Sequence, residues 1–118
     1  MDFELICDGV DDAKPLLYQW DLHDSRTGDL LARYIGEAVR GSGRPLRHYE
    51  RNVRRLIAGM AYRKSNPEGF RRMHRALAEA VSSGNRITLT LLRNVGPEDD
   101  FNEEERRAIR ASNCTLNG

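Results

Sequence analysis

Breaker residues constrain this chain more than any other feature. Clusters rich in Gly, Ser, Asn and Pro fall at 23–28, 41–45, 65–69, 82–85 and 94–97. Each marks a turn, because glycine reaches backbone angles closed to other residues and proline cannot continue a regular hydrogen-bond ladder. They divide the 118 residues into segments of one strand or one helix each. A chain of this length makes one domain, spanning 1–118. Its 39% hydrophobic content supports one modest core.

Leu16-Leu17-Tyr18-Gln19-Trp20-Asp21-Leu22 alternates and carries aromatic residues, so it reads as a strand. After a polar turn, Leu30 to Gly36 returns as a second strand, giving an antiparallel hairpin. Phe3 to Ile6 can add an edge strand. Pro45 suits the first position of a helix, where its missing N–H is an orphan anyway. Leu46, Tyr49, Val53, Leu56, Ile57 and Met60 then recur at helical spacing as a buried stripe. Arg44, Arg47, His48, Arg51, Asn52 and Arg55 share the opposite face. Asn66-Pro67-Glu68 opens a second helix, with Phe70, Met73, Leu77, Ala80 and Val81 inward and Gly84 at its end. Arg86 to Leu92 reads as a third strand and Asn102 to Arg110 as a final helix. The order is β-β-α-α-β-α. It predicts an α+β architecture: a small, mostly antiparallel three-stranded sheet flanked by helices.

The net charge of +1 hides segregation. Residues 1–32 carry two Lys/Arg against eight Asp/Glu. Residues 33–75 carry twelve against three, a net +9, and residues 76–118 carry five against seven. Such a basic block suits either a phosphate-rich partner or a solvated helix face.

Tyr34-Ile35-Gly36 is the second half of the motif that names the GIY-YIG nucleases. The element order is similar to theirs, and the likeness runs over roughly residues 16–118. After the second triplet the family places an arginine at a helix start and a histidine four residues later; Arg44-Pro45-Leu46-Arg47-His48 supplies both. It then has a strand and a helix bearing a metal-binding glutamate four residues before an apolar one, so Ile109 points to Glu105. The tail from Asn113 to Gly118 resembles the family's closing Leu-Asn-Gly segment. The first triplet departs from the pattern: it reads Leu16-Leu17-Tyr18, keeping only the tyrosine.

The resemblance implies a metal-dependent endonuclease acting on DNA, double-stranded rather than single. Its catalytic group is Tyr18, Tyr34, Arg44, His48 and Glu105. Glu105 holds Mg²⁺ or another divalent cation such as Mn²⁺, and a tyrosine helps deprotonate the attacking water. Elementary chemistry agrees with the parts. A hard divalent cation takes carboxylate, water and phosphate oxygens. Arg44, just before Pro45, joins its donor fork to the free N–H groups of a helix start, facing one anion. A free tyrosine titrates near 10, too high for an efficient base, and a neighbouring cation would lower that value. His48, one turn along from Arg44, can relay a proton or contact phosphate. Arg40, Arg47, Arg51 and Arg55 fit sequence-independent phosphate contacts. Glu105 has a rival role: Asn102 as N-cap with Glu105 at the third position fits a variant capping box. The alternative function is a catalytically weak or inactive nucleic-acid-binding module on the same fold.

No membrane span is expected, since none of the apolar runs approaches roughly 20 residues. The acidic start, Met1-Asp2-Phe3-Glu4, lacks the pattern of a signal peptide. Cys7 and Cys114 are far apart, which suits free thiols and a cytoplasmic protein.

Overall fold

A computed structural model describes residues 3–112 and 114–117; the Arg44 side chain, Asn113 and Gly118 lie outside the described residues. The elements are β1 (Glu4–Cys7), β2 (Leu16–His23), β3 (Leu30–Ala38), a π-helical turn (Arg44–His48) running into α1 (Tyr49–Ile57), α2 (Arg72–Ser83), β4 (Arg86–Asn94) and α3 (Phe101–Ala111). The class is α+β, as expected. The sheet differs in detail: it has four strands in the order β1-β4-β2-β3. β2 is antiparallel to β3 and β4, while β1 lies parallel to β4, so the sheet is mixed. What holds β1 there is visible. Glu4 accepts from Arg86 Nε at 3.0 Å across the β1–β4 pair, and the Phe3 ring meets Trp20 edge-on at 5.0 Å.

Alternation along β2 sends Leu16, Tyr18, Trp20 and Leu22 into the main core, where they meet Tyr49 and Val53 of α1, Met73, Leu77 and Ala80 of α2, and Ile87, Leu89 and Leu91 of β4. Each buried aliphatic or aromatic side chain contributes about 1.5–3 kcal/mol. Leu77→Ala would therefore cost about 2–5 kcal/mol through lost contacts and a residual cavity. Asp21 and Arg33 are directly opposed between β2 and β3 and form an ion pair with Nε–Oδ1 at 2.6 Å. The free edge of β3 is covered by the tail: Asn117 accepts from Ile35 N and donates to Ile35 O, and Leu116 N donates to Arg33 O. Covering an edge in this way satisfies backbone groups that would otherwise invite another strand.

Three local expectations are corrected. The stripe on α1 ends early: Gly59 adopts φ 72°, and Ile57 and Met60 stay exposed. Asn66-Pro67-Glu68 belongs to a loop, closed by Tyr62 N to Pro67 O at 3.0 Å, and α2 begins only at Arg72. The cap of α3 is Asp100, whose Oδ1 accepts from Glu103 N at 3.1 Å. Asn102 therefore lies inside the helix, and Glu105 has no capping-box role. Gly84, at φ 70°, does end α2. Among the described residues no helix is long and apolar enough to cross a membrane.

Candidate active site

β2 and β3 pair Tyr18 with Gly36 and Trp20 with Tyr34. Tyr18 and Tyr34 are thus diagonal neighbours on one face, with ring centroids 6.3 Å apart. The β2–β4 register shifts between Leu17 and Tyr18, an irregularity of the kind that re-aims a side chain. The Tyr18 ring then lies across Gly36 so closely that a Cβ there would sit 2.5 Å from it. This is a physical reason for a glycine to follow Tyr34-Ile35. The two tyrosines meet as the alternation of the strands predicts.

A third tyrosine joins them. Tyr49, on the first turn of α1, places its hydroxyl 3.3 Å from that of Tyr18. Helical spacing marked Tyr49 only as core. It is indeed buried, at 5% exposure, but it also links the tyrosine pair to His74, 5.3 Å away between ring centroids. The Tyr34 hydroxyl is pushed up to about 12 by burial, then by Tyr49 and Glu105, with Arg71 pulling the other way. Burial above all, then Tyr49 and Glu105, therefore holds Tyr34 protonated, opposite in sign to the lowering a base would need.

Glu105 lies on α3, which packs against β3. Its carboxyl is raised above the usual carboxylate range by burial and by Glu37, with Arg106 opposing. Glu37 follows the Tyr34-Ile35-Gly36 triplet and was not singled out by the sequence. Its Oε2 is buried and has no hydrogen-bond partner among the described residues. Glu37, with its orphaned oxygen, and Glu105, which feels the Glu37 charge, form an all-oxygen donor set of the kind a hard divalent cation takes. Among the described residues no three His, Cys, Asp or Glu gather into a closed metal cage. A cation here would rest on Glu105 and Glu37, leaving positions for water and phosphate.

Glu37 opens onto a groove of about 730 Å³ that Arg40, Arg47, His48 and Arg63 also line. His48 thus shares a surface with Glu37 and two of the expected phosphate-binding arginines. Position 44 starts the helical segment, as expected, and the turn from 44 to 48 is π-helical. Arg51 is exposed at the mouth of a neighbouring cavity. Arg55 turns away: its Nε donates to Ala61 O at 3.1 Å and ties down the end of α1. Arg40, Arg47, Arg51, Arg63 and Arg71 form no ion pair among the described residues. Elsewhere in the basic block, Arg33, Arg54 and Arg75 pair with Asp21, Glu50 and Glu68.

His74, expected at the surface, is only 4% exposed. Its Nδ1 accepts from Arg71 N at 3.0 Å, opening α2 in place of the expected Asn66 cap. Burial first and Arg71 second pull its titration down to about 4, so it is neutral at physiological pH. The helical stripe could have flagged it, since His74 follows buried Met73 and precedes Leu77 by three positions.

No protein-family profile, curated protein or solved structure matches this chain.

Proposed function

We propose that this chain is a divalent-cation-dependent endonuclease of GIY-YIG type that hydrolyses phosphodiester bonds in double-stranded DNA. One observation carries the reading. Tyr18, Tyr34 and Glu105 come from three separate segments, yet the Tyr34 ring lies 6.3 Å from that of Tyr18 and its hydroxyl feels the Glu105 charge. Glu37, whose charge Glu105 feels, opens onto a groove lined by His48 and by arginines that form no ion pair among the described residues. Core packing alone gives no reason to bring a half-buried glutamate to a tyrosine cluster.

In this reading the residues divide the work. Arg40 and Arg47 hold backbone phosphates, and Arg44 offers its guanidinium to the scissile one as charge builds. His48 accepts or relays a proton at its imidazole. Tyr34 remains protonated and donates its O–H, orienting the attacking water or a phosphate oxygen. Tyr18, tethered through Tyr49, fixes the position of Tyr34. Mg²⁺ or Mn²⁺ held by Glu105 and Glu37 would neutralise charge developing on the phosphate and its leaving oxygen. The free thiols of Cys7 and Cys114 suit a reducing, cytoplasmic setting.

A plasmid-nicking assay with Mg²⁺, and again with EDTA, tests the reading. Wild-type chain should nick in Mg²⁺ only, and Glu105→Gln should not. Equal signals from the two proteins sink it. A second reading, a DNA-binding module without activity, is favoured by the protonated Tyr34 and by the altered Leu16-Leu17-Tyr18 triplet. It demands salt-sensitive DNA binding with no cleavage under Mg²⁺ or Mn²⁺; Glu105-dependent nicking eliminates it.

A further inference from the structure

Beside the groove lies a second recess of about 220 Å³. Its walls come from α1, the loop at 58–71 and the start of α2, and His48 and Arg63 line both spaces. Arg51, Arg63 and Arg71 face it, none of them in an ion pair among the described residues, and no carboxylate lines it. Arg63 is braced, with its guanidinium 5.1 Å from the centre of the Tyr62 ring.

The neutral groups of the wall also present N–H. His74 Nδ1 accepts the Arg71 backbone N–H, so its own proton resides on Nε2. Nε2 stands 3.4 Å from the side-chain amide of Asn52. Asn52 lines the recess as well. Three guanidinium groups, with no acid beside them in the lining, make a strongly cationic wall. A nucleobase edge is neutral, whereas a phosphate offers acceptors alone together with a negative charge that the three guanidiniums can match. The lining matches the phosphate.

We propose that this recess is a phosphate-binding subsite that grips the substrate backbone beside the scissile group, through Arg51, Arg63, Arg71 and Asn52. The nuclease reading supplies only the source of that phosphate. Shared walls at His48 and Arg63 put the subsite next to the groove, so a strand held here passes the Glu105 side in one fixed register. Such a contact sets where the strand lies without reading its sequence.

Two measurements test this. In a ¹H–¹⁵N NMR titration with inorganic phosphate, the Asn52 side-chain amide and the Arg63 Nε–H should shift together, and Asn52→Asp should abolish the response. In EDTA, where nothing is cut, the slope of log affinity for a DNA duplex against log salt should fall by about two in Arg51→Gln/Arg63→Gln, one per lost phosphate contact. Both arginines are exposed, so the variant should fold, and Arg71→Gln provides an independent loss of about one. Absence of phosphate shifts at the recess overturns the proposal. Phosphate shifts with an unchanged salt slope overturn its nucleic-acid source and leave a free phosphate as ligand. A reduced slope in a protein that cuts nothing supports the subsite while removing the nuclease reading.

Discussion

On α3 and the end of β4, Arg93 and Arg107 both pair with Glu104, while Arg106 and Arg110 share Glu103. Around the groove and its neighbouring recess, Arg40, Arg47, Arg51, Arg63 and Arg71 have no ion pair among the described residues. The two regions use the same side chain for different ends. A guanidinium already matched to a carboxylate adds little to the field a polyanion meets, and an unmatched one adds its full charge. The sequence left the basic block open between a solvated helix face and a phosphate surface. The pairing pattern favours the second, because the unmatched set converges on concave surface.

The sharpest way to break the contrast uses three adjacent glutamates of α3. Glu103 and Glu104 serve the arginines, whereas Glu105 serves the tyrosine side. Glu105→Gln is expected to slow plasmid nicking by about 10²–10³-fold, the range typical of losing one key electrostatic group. Glu103→Gln should leave the rate within about 2-fold, since exposed ion pairs contribute little. Equal losses in both variants would show that α3 matters only as a scaffold.

Acid tests the groove side differently. In an unfolded chain His74 takes up a proton near its ordinary 6.5, but in the folded protein only at about 4. Between those values the unfolded state binds more protons. The stability is therefore complete above about pH 6.5 and falls as pH drops toward 4. A shift of this size corresponds to about 3–4 kcal/mol in full, most of it lost by pH 4.5. Urea unfolding at pH 7 and pH 4.5 measures the loss. His74→Asn, which keeps an acceptor for the Arg71 N–H, should flatten that limb. Identical pH profiles would mean that His74 is not held neutral among the unmatched arginines.

Gly36→Ala asks what the groove side owes to its tyrosines. A Cβ at 36 meets the Tyr18 ring at 2.5 Å, so the ring or the strand must shift. Overpacking of this kind costs about 1–3 kcal/mol. Nicking should fall further than the melting temperature alone explains. A stable variant with full activity would separate Tyr18 from the chemistry.

Much of this arrangement was legible in the residues, and the failures have physical causes. Period-two alternation placed Tyr18 and Tyr34 on paired strands because a strand offers only two faces. The start of α2 misled. Asn66-Pro67-Glu68 satisfies the local rules for a helix start, but Gly69 is packed against Asn66 and Tyr62, where a Cβ would lie 2.5 Å from the Asn66 amide. Tertiary packing of the loop overrode the cap, and the helix waits for Arg71 and His74. Helical spacing identified Tyr49 as buried without saying what it touches, so its contact with Tyr18 was hidden. Glu37 had no periodic signal at all; only its orphaned oxygen and its effect on Glu105 mark it. The Asp100 cap stands two residues before the expected Asn102 and removes the rival role for Glu105.

Salt dependence extends the comparison to binding. Arg47→Gln on the groove should lower the slope of log affinity for duplex DNA against log salt by about one. Arg107→Gln on α3 should leave the slope unchanged, because its charge is already matched by Glu104. Equal slopes for the two variants would dissolve the distinction between matched and unmatched arginines. Opposite slopes to those expected would move the DNA surface to α3.

The smallest effect is expected on the stability of α3 itself. Arg110 pairs with Glu103 at 3.3 Å, and both side chains are substantially exposed. Water and salt screen such a pair, and holding two long side chains in one geometry costs entropy. Arg110→Gln should therefore leave the urea midpoint unchanged within error, in high salt as in low. Urea unfolding at low and high salt measures it. A clear loss would mean the α3 pairs form a cooperative network that clamps the helix onto β3. Glu105 would then owe its position to those arginines, and the matched region would be supporting the site rather than standing apart from it.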